Sequence, residues 1–190
     1  MADEPSVGIV RAVLWLCFGL SGVAALGFEL LWMRSAGLVL GATATTTSTV
    51  LACYFTGLGL GAALGRRTST GGVRRYAFLE LGAAAGGLWS LLVFRSALAT
   101  SMLALALAML PATLCLGATL PVLGQALAAG SVGRRGGLLY AINTAGGALG
   151  VAAMGFGLPA AIGVTASYLT VVSAKLGTER VTRVRSLKLR

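Results

Sequence analysis

Ionisable residues divide this chain into long apolar runs. Ser35 to Gly65 is 31 residues without an acid or a base, Ser96 to Val132 is 37, and Gly136 to Ala174 is 39. A membrane-spanning helix needs about 20 predominantly apolar residues. The runs therefore predict helices in lipid, and their interruptions predict the turns. The first helix is expected over about Ala12 to Trp32 and the second over Leu38 to Leu64. The third covers Tyr76 to Phe94, and the fourth Ala99 to Leu127, kinked at Pro111 or Pro121. The basic turn Gly133-Arg134-Arg135-Gly136 leads to a fifth helix over Leu138 to Leu158. A sixth segment, Ala160 to Ala174, ends at Lys175; its 15 residues reach only about 22 Å, short of a hydrocarbon core about 30 Å thick. It either extends past Lys175, with that side chain snorkelling, or remains a half-span.

Charge selects between five and six spans. With six spans and a cytoplasmic N-terminus, 13 of the 15 cations fall on the cytoplasmic side, and only Arg34 and Arg95 fall outside. Five spans would place the basic tail on the wrong face, so the positive-inside rule favours six. The expected fold class is all-α, a polytopic integral membrane bundle of six transmembrane helices with both termini cytoplasmic. The expected organisation is a cytoplasmic N-terminal segment 1–11, a transmembrane domain 12–174 and a basic cytoplasmic tail 175–190. Acidic residues in the leader and the lack of a clean small-x-small cleavage site before Glu29 and Trp32 argue against a cleaved signal peptide.

Composition agrees with this picture. The chain is 57% hydrophobic and 11% charged, against about 25% charged for a soluble domain. Its net charge of +10 reads as the topology signal plus attraction to anionic lipid head groups. The cations sit on short loops without interleaved aromatics, so no nucleic-acid partner is expected. Cys17, Cys53 and Cys115 lie singly in different apolar segments, and there is no histidine. This pattern offers neither a metal site nor a disulfide framework. No cofactor and no catalytic set are expected.

The 28 glycines raise a sharper question at Gly57-x-Gly59-x-Gly61, which spells a phosphate-binding turn. Such a turn follows a strand and opens a helix. Here it lies inside an apolar run, and Gly57, Gly61 and Gly65 recur every fourth residue. That spacing puts them on one helix face, as expected for close helix crossing in lipid. Gly37 and Gly41, Gly82 and Gly86, and Gly146 and Gly150 repeat the pattern.

Few polar side chains remain to carry function. Glu29, near the expected outer end of the first helix, needs a partner because a carboxylate at depth is costly. Arg34 and Arg95 are the expected partners, in an interfacial ion pair; a cation site is the alternative. Glu80 is expected to pair with the basic loop at Arg74 and Arg75. Tyr140, Asn143 and Thr144 lie on the fifth helix, where Asn143 can bond a neighbouring helix or line a substrate path. The run Thr43 to Thr49 opens the second helix, and its hydroxyls can bond back to the backbone.

Five segments in order carry a family resemblance: LSGVAALGFELLWMR (Leu20 to Arg34), GLGLGAALGRR (Gly57 to Arg67), YAFLELGAAAG (Tyr76 to Gly86), LPATLCLGATLPVL (Leu110 to Leu123) and GGLLYAINTAGGALG (Gly136 to Gly150). The chain resembles the membrane domain of the fused membrane-type spermidine synthases, a helical module similar to half of a major-facilitator transporter. Members of that family usually carry a soluble aminopropyltransferase domain after the helices. No such domain is expected in the residues up to Arg190, so the resemblance is not expected to carry that activity over. The expected function is that of a non-catalytic membrane subunit in the bacterial cytoplasmic membrane. It would pack in and stabilise a larger complex with other subunits or as a homo-oligomer. The alternatives are a polyamine or small-cation carrier and a membrane anchor for a separately encoded aminopropyltransferase.

Overall fold

The computed structural model describes residues 4–67, 72–96, 101–127 and 132–187. All the described secondary structure is helical, in six helices: α1 (Glu4–Leu40), α2 (Ala44–Arg66), α3 (Gly72–Arg95), α4 (Met102–Leu127), α5 (Val132–Phe156) and α6 (Leu158–Leu187). Each contains a stretch long and apolar enough to cross a membrane. The described residues are thus those of an all-α protein suited to six spans.

The boundaries differ from the sequence reading in informative ways. α1 runs eight residues beyond Trp32, to Leu40, and the chain turns at Gly41, whose φ of 88° is open to glycine. Gly41 is therefore a turn residue, not half of a packing pair with Gly37. Thr43 caps α2, its hydroxyl accepting from the Thr46 backbone N–H at 3.1 Å. Thr49 bonds back to the Thr45 carbonyl at 2.9 Å. α4 continues through both Pro111 and Pro121. The expected basic turn at 133–136 belongs instead to the first turns of α5.

The largest correction concerns the end of the chain. α6 has 30 residues, breaks its helical geometry at Gly163 (φ 82°, ψ 161°) and continues well past Lys175. Residues 164–187 alone would measure about 36 Å, enough for a full span. Lys175 neither ends the sixth helix nor snorkels to a surface; it is fully buried. The end of the expected basic tail, residues 188–190, lies outside the described residues.

The helices pack with an internal repeat. α2 packs along α4, and α5 packs along α1; α3 and α6 pack against each other, α3 also on α4 and α6 also on α1. Exchanging α1 with α4, α2 with α5 and α3 with α6 reproduces this arrangement. The glycines share the repeat. A Cβ at Gly61 of α2 would fall on the Leu114 carbonyl of α4, and one at Gly146 of α5 on the Gly19 carbonyl of α1. In return, Gly117 of α4 faces the Leu58 carbonyl, and Gly22 of α1 faces the Asn143 carbonyl. Backbones approach so closely at both crossings that only hydrogen fits, which is how small residues stabilise helix pairs in lipid. The expected faces at Gly57, Gly61 and Gly65 and at Gly146 and Gly150 are contact surfaces. GLGLG is helix, not a phosphate-binding loop.

The backbones of α2 and α5 do not approach each other closely among the described residues. The bundle is therefore open on that side, with α1 and α4 behind the gap.

Candidate functional site

Two features stand out inside the bundle. The first joins α1, α3 and α6. Glu80 and Lys175, both with fully buried side chains, form an ion pair of 3.0 Å. The Ser21 hydroxyl donates to Glu80 Oε1 at 2.8 Å and accepts from Lys175 Nζ at 2.6 Å. Three groups thus close a ring in which both carboxylate oxygens have a partner. Glu80 stands about 12 Å along α3 from Gly72, so the ring lies well inside the span. The fully buried Tyr76 hydroxyl lies beside Glu80 and Ser21 without completing a hydrogen bond. Near that end of the bundle, Arg74 and Arg183 both lie over the Phe78 ring, at 5.6 and 5.9 Å from its centroid. Such contacts add a small attraction between α3 and α6.

The second feature is a cleft of about 320 Å³ at the open side, between α2 and α5. Tyr54 and Phe55 line it from α2, Tyr140 and Asn143 from α5, Thr119 from α4 and Ser21 from α1. Ser21 therefore belongs both to the cleft and to the ion-pair ring. Asn143 donates to the Phe18 carbonyl of α1 at 3.1 Å, the cross-helix bond that the sequence allowed. Tyr140 is 61% exposed.

Glu29 sits one helical turn beyond Ala25, a cleft-lining residue, and eight residues beyond Ser21 on the same row of α1. It is 8% exposed. Neither expected partner reaches it. Arg34 is exposed, and Arg95 donates to Thr165 Oγ1 at 3.2 Å. The described residues give Glu29 no hydrogen bond and no ion pair. α1 continues past the expected end of the first helix, and Glu29 lies about 17 Å along it from Leu40.

Around Glu29 the core is aromatic. Phe28 stacks on Trp32 with centroids 5.4 Å apart, Tyr54 lies 6.2 Å from Trp32, and Tyr168 lies 6.3 Å from Phe28. Trp32 donates its indole N–H to Ser90 Oγ at 2.8 Å, and Ser90 donates to the Gly87 carbonyl. These contacts hold α1 against α2, α3 and α6 and fix the row on which Glu29 stands.

The structure does not place the six polar residues expected from sequence in one site. Tyr140 and Asn143 line the cleft, whereas Glu29 stands one turn along α1 from its lining residue Ala25. Glu80 lies behind the cleft, joined through Ser21. Its expected partners, Arg74 and Arg75, do not form its ion pair; Lys175 does. Arg34 and Arg95 stand apart. Sequence reasoning missed Ser21, Tyr54 and Lys175. A signal existed for Lys175: Thr178, Glu179 and Thr182 continue a helical stripe from it, and all are buried. Ser21 and Tyr54 carry no such mark.

Compared with protein-family models, with curated proteins and with solved structures, the chain matches none.

Proposed function

We propose that the chain is a non-catalytic integral membrane subunit whose open α2–α5 side is covered by another membrane-protein surface. One observation carries this reading. The cleft presents hydroxyls and an amide along a side where the chain supplies no cover. In hydrocarbon, polar groups need partners, so a further protein surface is the stable neighbour of such a side. The resemblance noted above to a half-transporter module points the same way. In the proposed setting both termini face the cytoplasm of a bacterial inner membrane, and anionic lipids contact the basic inner ends. With Lys175 buried in its ion pair, the proposed orientation rests on the other cations expected on the cytoplasmic side.

Purification from native membranes in a gentle detergent or in lipid nanodiscs is expected to recover a stoichiometric partner or a second copy. Recovery only as a lone monomer would count against the reading. A reporter fused after Arg190 is expected to read cytoplasmic, as six spans require. A periplasmic signal would sink that topology.

A further inference from the structure

One end of the α3–α6 seam gathers cations from both helices. The guanidinium carbons of Arg74 and Arg183 lie 5.6 and 5.9 Å from the centroid of one ring, that of Phe78. α3 and α6 run in opposite directions, with Arg95 bonded to Thr165 at one end and Arg74 and Arg183 meeting at the other. From the Glu80–Lys175 pair, Arg74 is six residues along α3 and Arg183 eight along α6. Those steps carry both charges about 9 and 12 Å towards the same end of the bundle. Arg74 and Arg183 are exposed, and Phe78 is 51% exposed.

This arrangement suits an anion. Arg74 has no hydrogen bond and no ion pair among the described residues. Glu179 accepts from Arg183 Nε at 2.8 Å, which orients the guanidinium while engaging one of its five donors. Arg75 follows Arg74, and Arg180 stands one turn before Arg183. Glu80 is already neutralised by Lys175, so among the described residues at this end Glu179 is the carboxylate left to oppose four arginines. Like charges gathered on one ring repel, and an anion placed between them removes that cost. At the end of a membrane span the anions at hand are lipid phosphates, which guanidinium donors engage in pairs. Phe78, one turn deeper than Arg74, offers apolar surface to the glycerol and acyl chains below a phosphate. We propose that Arg74 and Arg183 clamp the phosphate of one anionic phospholipid, with Phe78 as the platform beneath it. The site rests on the reading that the basic ends meet anionic lipid, and it narrows that general contact to one seam.

Native mass spectrometry of the full chain, titrated with phosphatidylglycerol or with phosphatidylcholine of the same acyl chains, tests this. The first phosphatidylglycerol is expected to bind at least about fivefold more tightly than phosphatidylcholine. Arg74→Gln should weaken that step about five- to tenfold, and Phe78→Leu about two- to threefold. Arg66→Gln, at an exposed arginine in the last turn of α2, should change it by less than about twofold. Glycerophosphoglycerol, the same headgroup without acyl chains, should not displace the lipid. Displacement would make this a site for a soluble phosphate ester and overturn the lipid assignment. Equal losses at Arg74 and Arg66 overturn the clamp but leave general contact with anionic lipid standing. No preference for phosphatidylglycerol overturns both. Arg74 and Phe78 are exposed and outside the core, so either variant decides if the other fails to assemble.

Discussion

Lys175→Met is expected to be among the most damaging single substitutions in this chain. It would leave Glu80 buried with no opposing charge, and removing one member of a buried ion pair costs about 3–5 kcal/mol. The Ser21 hydroxyl would keep its bond to Glu80 Oε1, but Oε2 would have nothing. Glu80→Leu should be comparably harmful because it strands the ammonium group. The double variant Glu80→Leu with Lys175→Met removes both charges, and it should recover most of the loss, since apolar replacement of a whole buried pair is often near neutral. Ser21→Ala should cost about 1–3 kcal/mol, the usual penalty for leaving buried polar groups unsatisfied. Thermal unfolding in one detergent, followed by circular dichroism, measures all four. Single variants that melt with the wild type would show that the pair is not buried. A double variant no better than either single would show that α1, α3 and α6 are not joined through it.

The same ring shows how far sequence reasoning reached. Six helices were legible because apolar length and charge spacing are one-dimensional properties. The glycine faces were legible because a four-residue repeat is enough to place side chains on one side of a helix. Glu80 was recognisable as an intramembrane acid, but its partner was not. Lys175 lies 95 residues away in sequence and reads, on periodicity alone, as the cation that ends an apolar run. Only the packing of α6 on α3 turns it inward. The cleft was also illegible. It arises because α2 and α5 fail to meet, and no local pattern in either helix records that gap. Glu29 was suspected for a sound reason, the cost of a carboxylate in lipid. Its pairing was not legible, because periodicity does not show that Arg34 faces outward from α1 or that Arg95 bonds Thr165 of α6.

The second large effect is expected at the helix crossings and separates two glycines of one motif. In Gly57-x-Gly59-x-Gly61, the residues at 57 and 61 are buried, whereas a Cβ at Gly59 would meet nothing within 4 Å. Gly61→Ala places a methyl group on the Leu114 carbonyl of α4, and Gly146→Ala places one on the Gly19 carbonyl of α1. A backbone carbonyl cannot turn aside as a side chain can, so the whole helix must move. That separation would also disturb the reciprocal contacts of Gly117 on Leu58 and of Gly22 on Asn143. Overpacking of this kind costs about 1–3 kcal/mol. It outweighs the gain of about 1 kcal/mol that alanine brings to a helix interior. At Gly59 only the gain remains. Gly61→Ala and Gly146→Ala should therefore lower the midpoint of thermal unfolding, while Gly59→Ala should leave it unchanged or raise it. If substitution at 59 harms the protein as much as substitution at 61, the motif does not act through one packed face, and the α2–α4 crossing described here is wrong.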